Sequence, residues 1–353
     1  MSYQCADEKL LKSEISYPDL HSDFMSRNEH LFSFKFLTNQ KPFQEDNLRV
    51  LGSSNGLVLC YSVQSDDMMR YHVCNPLTQQ WVSLPSPPPP RARGLDVIGI
   101  FCEYSSSFTS CCYKVVRIPL FDESYTKEFN VDIFSSEMGV WERFQVSCDK
   151  LVQQAWSILD KVVILDGVLF WIEGRNRMLV YNFDQKNKID EHRCSLISLP
   201  DEEFDDYYKY RYSESILGES GGWVCYAKIK ISTRDLTVSV WVLDGVNWKI
   251  LHNKISTDDS IFKEMLSRIG VSKEMLSRTG EFARIQVLGF SPMDRNVVLL
   301  GCKHCVWGFN IQTRSFEELY GDKRHVDHTG RMFLPSVLTP MPTVLPPPSW
   351  IDT

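Results

Sequence analysis

The stretch "YHVCNPLTQQWVSLP", Tyr71 to Pro85, decides the fold class of this chain. An apolar run typical of a strand leads into a polar turn, and a bulky residue, Trp81, begins another strand. Four more stretches repeat this order: "FNVDIFSSEMGVWERF" (129–144), "MLVYNFDQKNKIDEHRCSLISLP" (178–200), "VSVWVLDGVNWKIL" (238–251) and "CVWGFNIQTRSFEEL" (305–319). The residues at the position of Trp81 are Trp141, Ile197, Trp248 and Phe316, at successive spacings of 60, 56, 51 and 68 residues.

A second motif, a turn followed by an apolar strand, precedes most of these copies. Its members are "NGLVLCY" (55–61), "DGVLFWIEG" (166–174), "GGWVCYAKI" (221–229) and "RNVVLLGC" (295–302). With one more strand, the combined unit is the four-stranded blade of a β-propeller, whose repeats span roughly 40–50 residues. We therefore predict an all-β propeller of about six blades, in which neighbouring blades cover the faces that one blade cannot bury alone. A two-sheet sandwich is the alternative.

The glycines of "GSSNGLVLCY", Gly52 to Tyr61, raise the question of a phosphate-binding loop. Such a loop needs a lysine after its last glycine and a helix beyond it. Here no lysine follows Gly56, and an apolar strand begins at once. We instead expect Asn55 and Gly56 to form a tight turn with positive φ, and Leu57 to Cys60 to form an inner strand.

Composition excludes several classes of protein. The chain has 353 residues, of which 43% are hydrophobic, so it can fill a sizeable core. Its net charge of −7 argues against general nucleic-acid binding, and no apolar run reaches the roughly 20 residues of a membrane helix. Its cysteines lie in apolar stretches and behave there as small hydrophobes, as in a reducing compartment; examples are Cys60, Cys74, Cys102 and Cys225. We expect a cytoplasmic or nuclear protein, or both.

The two ends of the chain differ from its middle. Residues 1–49 show helical spacing at Leu10, Leu11 and Ile15 and predict a short helical segment. Residues 50–334 form the predicted propeller domain, and the proline-rich residues 335–353 form a disordered tail. Within the domain, "SLPSPPPPRARG" (83–94) is expected to be an exposed connector because proline cannot donate to a sheet.

No stretch carries a convincing catalytic or metal-binding pattern. "CKHC" (302–305) lacks a second pair of ligands, and "RHVDHTG" (324–330) lacks the helical setting of a zinc protease. The acidic run "PDEEFDDYYKY" (200–210) is more typical of a solvated or partner-facing loop than of the paired carboxylates of a glycosidase. We predict no catalytic residue, no cofactor and no metal.

Taken in order, the repeat motifs resemble the plant F-box-associated domain. The motifs "LGSSNGLVLCY", "VCNPLTQQWVSLP", "CCYKVVRI", "VDIFSSEMGVWERF", "GVLFWIEGRNRMLVYNFD", "LTVSVWVLDGVNWKIL" and "VLGFSPMDRNVVLLGCKHCVWGFNIQT" cover nearly all of residues 50–320. The resemblance implies a kelch-like propeller. Residues 9–28 are similar to the segment that follows an F-box, with Leu11 where the family has tryptophan. Residues 1–49 are accordingly expected to be a remnant of that segment plus a linker, with the F-box itself truncated.

The same resemblance implies a function. F-box proteins dock on a Skp-type adaptor of a cullin-based ubiquitin ligase (an SCF complex), and their propellers capture the protein to be ubiquitinated. The leading hypothesis is therefore a non-catalytic interaction module that recognises such a target, with the adaptor and cullin as further partners. An F-box-less or degenerate binding protein is one alternative, and a propeller hydrolase is another, since fold alone does not set function.

Turns between the second and third strands of each predicted blade share one face, which commonly forms the binding surface of a propeller. They are residues 65–68, 174–177, 232–235 and 303–304. The predicted partner-binding residues on them are Asp66, Arg175, Asn176, Arg234 and His304.

Overall fold

In the computed structural model of the protein, every regular element of the described residues is a β-strand. The described residues are 2–5, 14–15, 48–63, 69–76, 78–89, 96–104, 111–153, 162–174, 176–183, 193–200, 212–231, 236–256, 285–302, 305–321 and 333–336. Two short strands, β1 (Ser2–Cys5) and β2 (Glu14–Ile15), pair antiparallel at the N-terminus. The predicted helical segment is therefore wrong where it can be compared, because the helical spacing included Ile15, which lies in a strand.

Five four-stranded antiparallel meanders follow in this part of the chain. Meander 1 comprises β3 (Leu48–Ser54), β4 (Leu57–Val63), β5 (Met69–Asn75) and β6 (Gln80–Ser83). Meander 2 comprises β7 (Val97–Tyr104), β8 (Cys111–Ile118), β9 (Tyr125–Ser135) and β10 (Val140–Gln153). Meander 3 comprises β11 (Val162–Leu165), β12 (Val168–Glu173), β13 (Arg177–Asn182) and β14 (Arg193–Ser198).

The last two meanders have the same order. Meander 4 comprises β15 (Tyr212–Ser220), β16 (Trp223–Ile231), β17 (Leu236–Asp244) and β18 (Asn247–Ser256). Meander 5 comprises β19 (Ile285–Phe290), β20 (Val297–Cys302), β21 (Cys305–Asn310) and β22 (Ser315–Gly321). A final strand, β23 (Phe333–Ser336), forms a three-stranded sheet in which β1 lies between β2 and β23. This strand reaches two residues into the predicted tail, and the rest of the tail lies outside the described residues.

The repeat read from the sequence corresponds to these meanders. Trp81 and the four residues aligned with it each lie in the fourth strand of a meander. Meanders 1, 4 and 5 are separate sheets, whereas meanders 2 and 3 form one eight-stranded sheet because β10 pairs in parallel with β14. The contacts divide the chain into two units, one containing meanders 1 to 3 and the other containing meanders 4 and 5.

Tight turns with positive φ join the first two strands in meanders 1 and 3. In meander 1, Asn55 and Gly56 have φ values of 46° and 81°. Asp166 and Gly167 have values of 48° and 74° in meander 3. Positive φ at both central residues is the geometry of a hairpin turn that matches the twist of its strands. The prediction of a structural turn at Asn55-Gly56 is thereby confirmed.

The first strands of successive meanders pack on one another within each unit, and glycines allow the close approach. A Cβ atom placed on Gly218 of β15 would lie 2.5 Å from Cδ2 of the fully buried Phe290 of β19. A Cβ on Gly99 of β7 would lie 2.9 Å from Ile164 of β11. These glycines are therefore required by space rather than by backbone conformation.

Replacing Gly218 with alanine is expected to lower the free energy of unfolding by about 1–3 kcal/mol, because the new methyl group overpacks a core that cannot yield at Phe290. The matched control is Gly52→Ala in β3, where the new Cβ would meet Ile100 at an ordinary 3.8 Å. Denaturant titration of both variants measures the difference. Equal midpoints would show that the Gly218 contact relaxes without cost.

Candidate functional site

The connections between second and third strands run from 64–68 in meander 1, 119–124 in meander 2, 174–176 in meander 3, 232–235 in meander 4 and 303–304 in meander 5. Of the predicted binding residues, Asn176 is described, and it lies on the connection of meander 3. Asn176 is exposed. The other four, Asp66, Arg175, Arg234 and His304, lie outside the described residues. Their role in binding stays a prediction.

A buried ion pair closes the turn that carries Asn176. The side chain of Glu173, at the end of β12, is fully buried. Arg177, at the start of β13, donates to it twice, from Nη2 to Oε1 over 2.7 Å and from Nε to Oε2 over 2.8 Å. Two parallel hydrogen bonds between a guanidinium and a carboxylate fix distance and orientation together. The four-residue interval between these partners brings them face to face across the turn.

The same pair ties the turn to the end of β10. The backbone N–H of Gln153 donates to Oε1 of Glu173, and Nη2 of Arg177 donates to the carbonyl oxygen of Leu151 over 3.0 Å. Gly174 has a φ of 66°, and a Cβ there would lie 2.9 Å from Oε1 of Gln153. The turn of meander 3 is therefore held against the outer strand of meander 2.

Two large apolar residues, one near an end of β9 and one near an end of β10, are exposed close to this turn. Tyr125, at the start of β9, is 50% exposed and pairs with Gln153; Leu151, two residues earlier on β10, is 52% exposed. Tyr125 and Gln153 pair directly and therefore point to the same face of the sheet, while Leu151 lies at an irregularity of the β9–β10 register. We define the rim surface as Tyr125, Leu151, Gln153, Asn176 and Arg177.

Sequence reasoning named Asn176 but not Tyr125 or Leu151. Both lie outside the repeat stretch 129–144 that the sequence analysis used. The signal that could have found them is their place at a strand end beside a second-to-third connection. Tyrosine is enriched in protein interfaces because its ring is apolar and its hydroxyl is polar. The rim surface thus combines an apolar centre with neighbouring amide and guanidinium donors on a fixed scaffold.

A second ionic cluster lies buried between meanders 1 and 2. The guanidinium of Arg117 on β8 is fully buried and contacts Asp96 over 2.7 Å and Asp132 over 2.8 Å. Asp132 also accepts from Nε of Arg143 over 2.7 Å, and Asp96 accepts from the hydroxyl of Tyr71 over 3.2 Å. Burial raises the pKa of Asp96 above its ordinary value, although Arg117 opposes that shift. These charges are paired with one another, so the cluster is a structural link rather than a reactive centre.

This cluster corrects the prediction that the proline-rich connector is exposed throughout. Pro87 is buried, and the carbonyl oxygen of Pro88 accepts a hydrogen bond from Nη1 of Arg117 over 2.9 Å. Nε1 of Trp141 donates to the carbonyl oxygen of Pro85 over 2.8 Å. Proline lacks a donor but keeps its acceptor, and it is the acceptors that anchor this segment to meander 2.

His72 on β5 is buried and is held between two hydroxyl groups. Its Nε2 lies 2.9 Å from Oγ of Ser62, and its Nδ1 lies 3.0 Å from Oγ of Ser83. Burial, helped by the charge of Arg70, lowers the pKa of His72 to about 4. The imidazole is therefore neutral at physiological pH and acts as a structural hydrogen-bonding group between β4 and β6.

Stability is expected to fall by about 2 kcal/mol between pH 7 and pH 5 through His72 alone. The unfolded chain takes up the proton near pH 6.5 and the folded chain only near pH 4, so the unfolded state binds more protons between these values. The stabilisation by neutral His72 is complete above pH 6.5 and is lost as the pH falls through this window. Urea titrations of wild type and His72→Gln measure the effect. The variant should lose less stability on acidification, and parallel pH profiles would contradict the prediction.

Metal and thiol chemistry find no support in the described part of the chain. No group of three or more His, Cys, Asp or Glu side chains there is placed to hold a metal ion. The thiols of Cys60, Cys74, Cys102 and Cys225 are buried, as predicted. Burial raises the pKa of the Cys225 thiol well above its ordinary value, which keeps it protonated. Among the same residues, no helical segment has the length and apolar character needed to cross a bilayer.

Comparison with known proteins defines the class of this one. The family described as "F-box protein At3g26010-like, beta-propeller" matches residues 31–336. The chain therefore belongs to this plant F-box protein family, and its meanders are propeller blades. The all-β propeller and the resemblance to F-box-associated domains are confirmed. The number of blades beyond the five described meanders stays a prediction.

Similar proteins come from Arabidopsis thaliana. At3g23970, named as an F-box protein, is 30% identical over 187 residues, which cover 51% of this chain and 44% of that protein. F-box protein At3g26010 is 26% identical over 207 residues, covering 57% of this chain and 46% of that protein. The chain thus spans about half the length of the curated relatives it matches.

Solved structures are more distant. The β-propeller domain of the trilobed protease from Pyrococcus furiosus is 11% identical with a TM-score of 0.32, over 78% of this chain and 83% of that chain. The Aleuria aurantia lectin with α-methyl-L-fucoside is 8% identical with a TM-score of 0.35, over 77% and 75% of the two chains. Scores at this level support no inference about function.

Proposed function

We propose that this protein is a non-catalytic interaction module that captures a target protein for an SCF-type ubiquitin ligase. Its membership of an F-box propeller family supports the proposal. In it, residues 50–334 are the recognition domain, residues 1–49 are the F-box exit segment and linker, and residues 335–353 are a tail. A Skp-type adaptor and a cullin are the further partners. Target capture takes place in the cytoplasm, the nucleus or both.

The rim surface is the observation that carries this proposal. Tyr125 and Leu151, near the ends of β9 and β10, are each about half exposed. Next to them, the bidentate pair of Glu173 and Arg177 fixes the turn that presents Asn176. A rigid apolar centre beside polar groups suits recognition of a protein surface, because few side chains must lose freedom on binding. Its tyrosine, leucine and amide groups offer no nucleophile paired with a base.

The net charge and the thiols support the choice of partner and compartment. A chain with a net charge of −7 lacks the basic field that nucleic acids require, so a protein target is the better fit. Buried free thiols suit a reducing compartment.

Replacing both Tyr125 and Leu151 with alanine is expected to reduce recovery of the target protein at least tenfold, because removing two interface anchors typically costs more than about 1.4 kcal/mol. The measurement is quantitative affinity purification from plant cells in which proteasomal degradation is blocked. Met138→Ala/Val140→Ala is the matched control, since it removes similarly exposed apolar groups from the opposite end of the β9–β10 hairpin. Recovery of adaptor and cullin should be unchanged in both variants.

A second double variant tests the predicted turns themselves. Arg175→Ala/Arg234→Ala should also lower target recovery, because each removes a donor from a second-to-third connection. If recovery of the target protein is unchanged in both double variants, the assignment of this surface as the target-binding site is wrong. Recovery of a target without adaptor or cullin would instead favour an F-box-less binding protein, and turnover of a small-molecule ester or glycoside by the purified chain would favour a hydrolase.

A further inference from the structure

A second exposed surface lies in the unit that contains meanders 4 and 5. It is formed where first strands turn into second strands. In meander 4 the turn is Gly221-Gly222, after which Trp223 begins β16. In meander 5 the connection between β19 and β20 is the segment 291–296, "SPMDRN".

Hydrogen bonds join these two connections to each other. The backbone N–H of Gly221 donates to the carbonyl oxygen of Pro292 over 2.8 Å. The hydroxyl of Ser220 donates to the carbonyl oxygen of Ser291. Both serines are buried, so the contact between them is shielded from water. The two meanders therefore present this end as one continuous surface.

The segment 291–296 is also braced from within. Oδ1 of Asp294 accepts from the backbone N–H of Asn296 over 2.9 Å and from its side-chain amide over 3.0 Å. The amide oxygen of Asn296 lies 3.2 Å from Nε2 of His252 on β18. These contacts hold the segment in one conformation and occupy the carboxylate of Asp294.

Large apolar side chains and one cationic side chain are exposed at these two connections. Trp223 is 41% exposed and Met293 is 72% exposed. The guanidinium carbon of Arg295 lies 5.8 Å from the centre of the Trp223 ring, within the range of a cation–π contact. We call Trp223, Met293 and Arg295 the tryptophan surface.

The charge of Arg295 indicates what the tryptophan surface binds. Among the described residues, no acidic side chain forms an ion pair with Arg295, and the ring of Trp223 is the group it contacts. A guanidinium held over an aromatic ring by a cation–π contact keeps its N–H groups available for hydrogen bonds with another partner. Such a fork matches a carboxylate. Tryptophan, methionine and arginine are the residue types enriched at protein interfaces.

We propose that the tryptophan surface binds an extended acidic peptide segment of a partner protein. One carboxylate of the peptide accepts hydrogen bonds from Arg295, and a neighbouring aliphatic or aromatic side chain of the peptide packs on Trp223 and Met293. This surface lies in a different unit from the rim surface, and its binding requires neither target capture at the rim nor assembly of a ligase. The two proposals can therefore fail separately.

A random decapeptide library displayed on phage, selected on the purified full-length chain, tests this proposal. Selected sequences should be enriched in Asp or Glu one to three positions from a large apolar residue, and selection on Trp223→Ala/Arg295→Gln should lose that enrichment. Labelled synthetic copies then give dissociation constants by fluorescence anisotropy. Exchanging Glu for Gln in the peptide should weaken binding to wild type about tenfold and leave binding to Arg295→Gln unaltered.

Two further variants sharpen the test. Arg295→Lys keeps the charge but loses the planar fork, so it should bind acidic peptides with intermediate affinity. Lys249→Gln removes an exposed lysine of the same meander, one that is already paired with Asp244, and should bind like wild type. All replaced side chains are exposed, and circular dichroism verifies that the variants fold.

Three results would overturn the proposal. The first is the absence of acidic enrichment on wild type. The second is equal enrichment on the double variant. The third is self-association of the wild-type chain, seen by sedimentation velocity and abolished by Trp223→Ala, because that would make the surface a contact between two copies of this chain.

Discussion

Replacing Arg117 with methionine is expected to lower the free energy of unfolding by about 3–5 kcal/mol. The substitution leaves the carboxylates of Asp96 and Asp132 buried without their shared partner and removes the anchor of the Pro88 carbonyl. Since a whole domain is stable by only about 5–15 kcal/mol, this loss should be visible as a large shift of the denaturant midpoint. It should also reduce the yield of folded protein.

The matched control for that experiment is Arg143→Met. Arg143 binds the same carboxylate, Asp132, but its side chain is 31% exposed, so its loss leaves Asp132 still paired with Arg117 and should cost less than half as much. Acidification provides a second check. Because burial already raises the pKa of Asp96 and loss of Arg117 raises it further, protonation should relieve the buried charge. The deficit of Arg117→Met relative to wild type should therefore shrink as the pH falls from 7.5 to 5.5, and a constant deficit would contradict this account.

Replacing Arg177 with methionine is expected to lower the free energy of unfolding by about 3 kcal/mol. The same substitution is expected to impair target capture. The fully buried carboxylate of Glu173 would lose both hydrogen bonds from the guanidinium, and the carbonyl of Leu151 would lose its donor. The turn that presents Asn176 would then be free to move relative to β10. Denaturant titration measures the first effect, and recovery of the target from cells measures the second.

The double variant Glu173→Met/Arg177→Met distinguishes the effect of an unpaired buried charge from the effect of losing the bidentate geometry. It removes both members of the pair, so no unpaired charge remains buried, and most of the lost stability should return. Target recovery should remain low, because an apolar pair does not fix the turn as a bidentate pair does. If the double variant is as unstable as Arg177→Met, the contribution of Arg177 is packing rather than charge pairing.

Much of the fold could be predicted from the sequence because its information is local. Trp81, Trp141, Trp248 and Phe316 each stand second in a fourth strand, directly after a polar turn, and only Ile197 lies near the end of its strand. Asn55-Gly56 and Asp166-Gly167 have the backbone preferences of hairpin turns, and their positive φ values follow from residue type. Local preferences of this kind repeat with every meander and need no knowledge of distant contacts.

The other features depend on contacts between residues that are far apart in sequence, and the spacing of residue types along the chain does not reveal such contacts. Arg117 lies within an apolar strand motif, and nothing near it in sequence indicates that Asp96 and Asp132 converge on it. Leu151 and Tyr125 have the residue types of a core, and only the structure shows that both are exposed near the ends of their strands. The helical spacing that included Ile15 was wrong because a two-residue strand is too short to show a period of its own.

The parallel pairing of β10 with β14 has a consequence for the behaviour of the chain in a crowded cell. At 14 residues, β10 is the longest of the described strands, and it is the last strand of its meander. An outer strand of that length would offer unpaired backbone groups to any other extended chain and could template aggregation. Ser147 and Cys148 pair instead with Arg193 and Cys194, so part of that edge is occupied by the protein's own next meander. Joining two meanders into one sheet thus protects the edge that is most prone to intermolecular strand exchange.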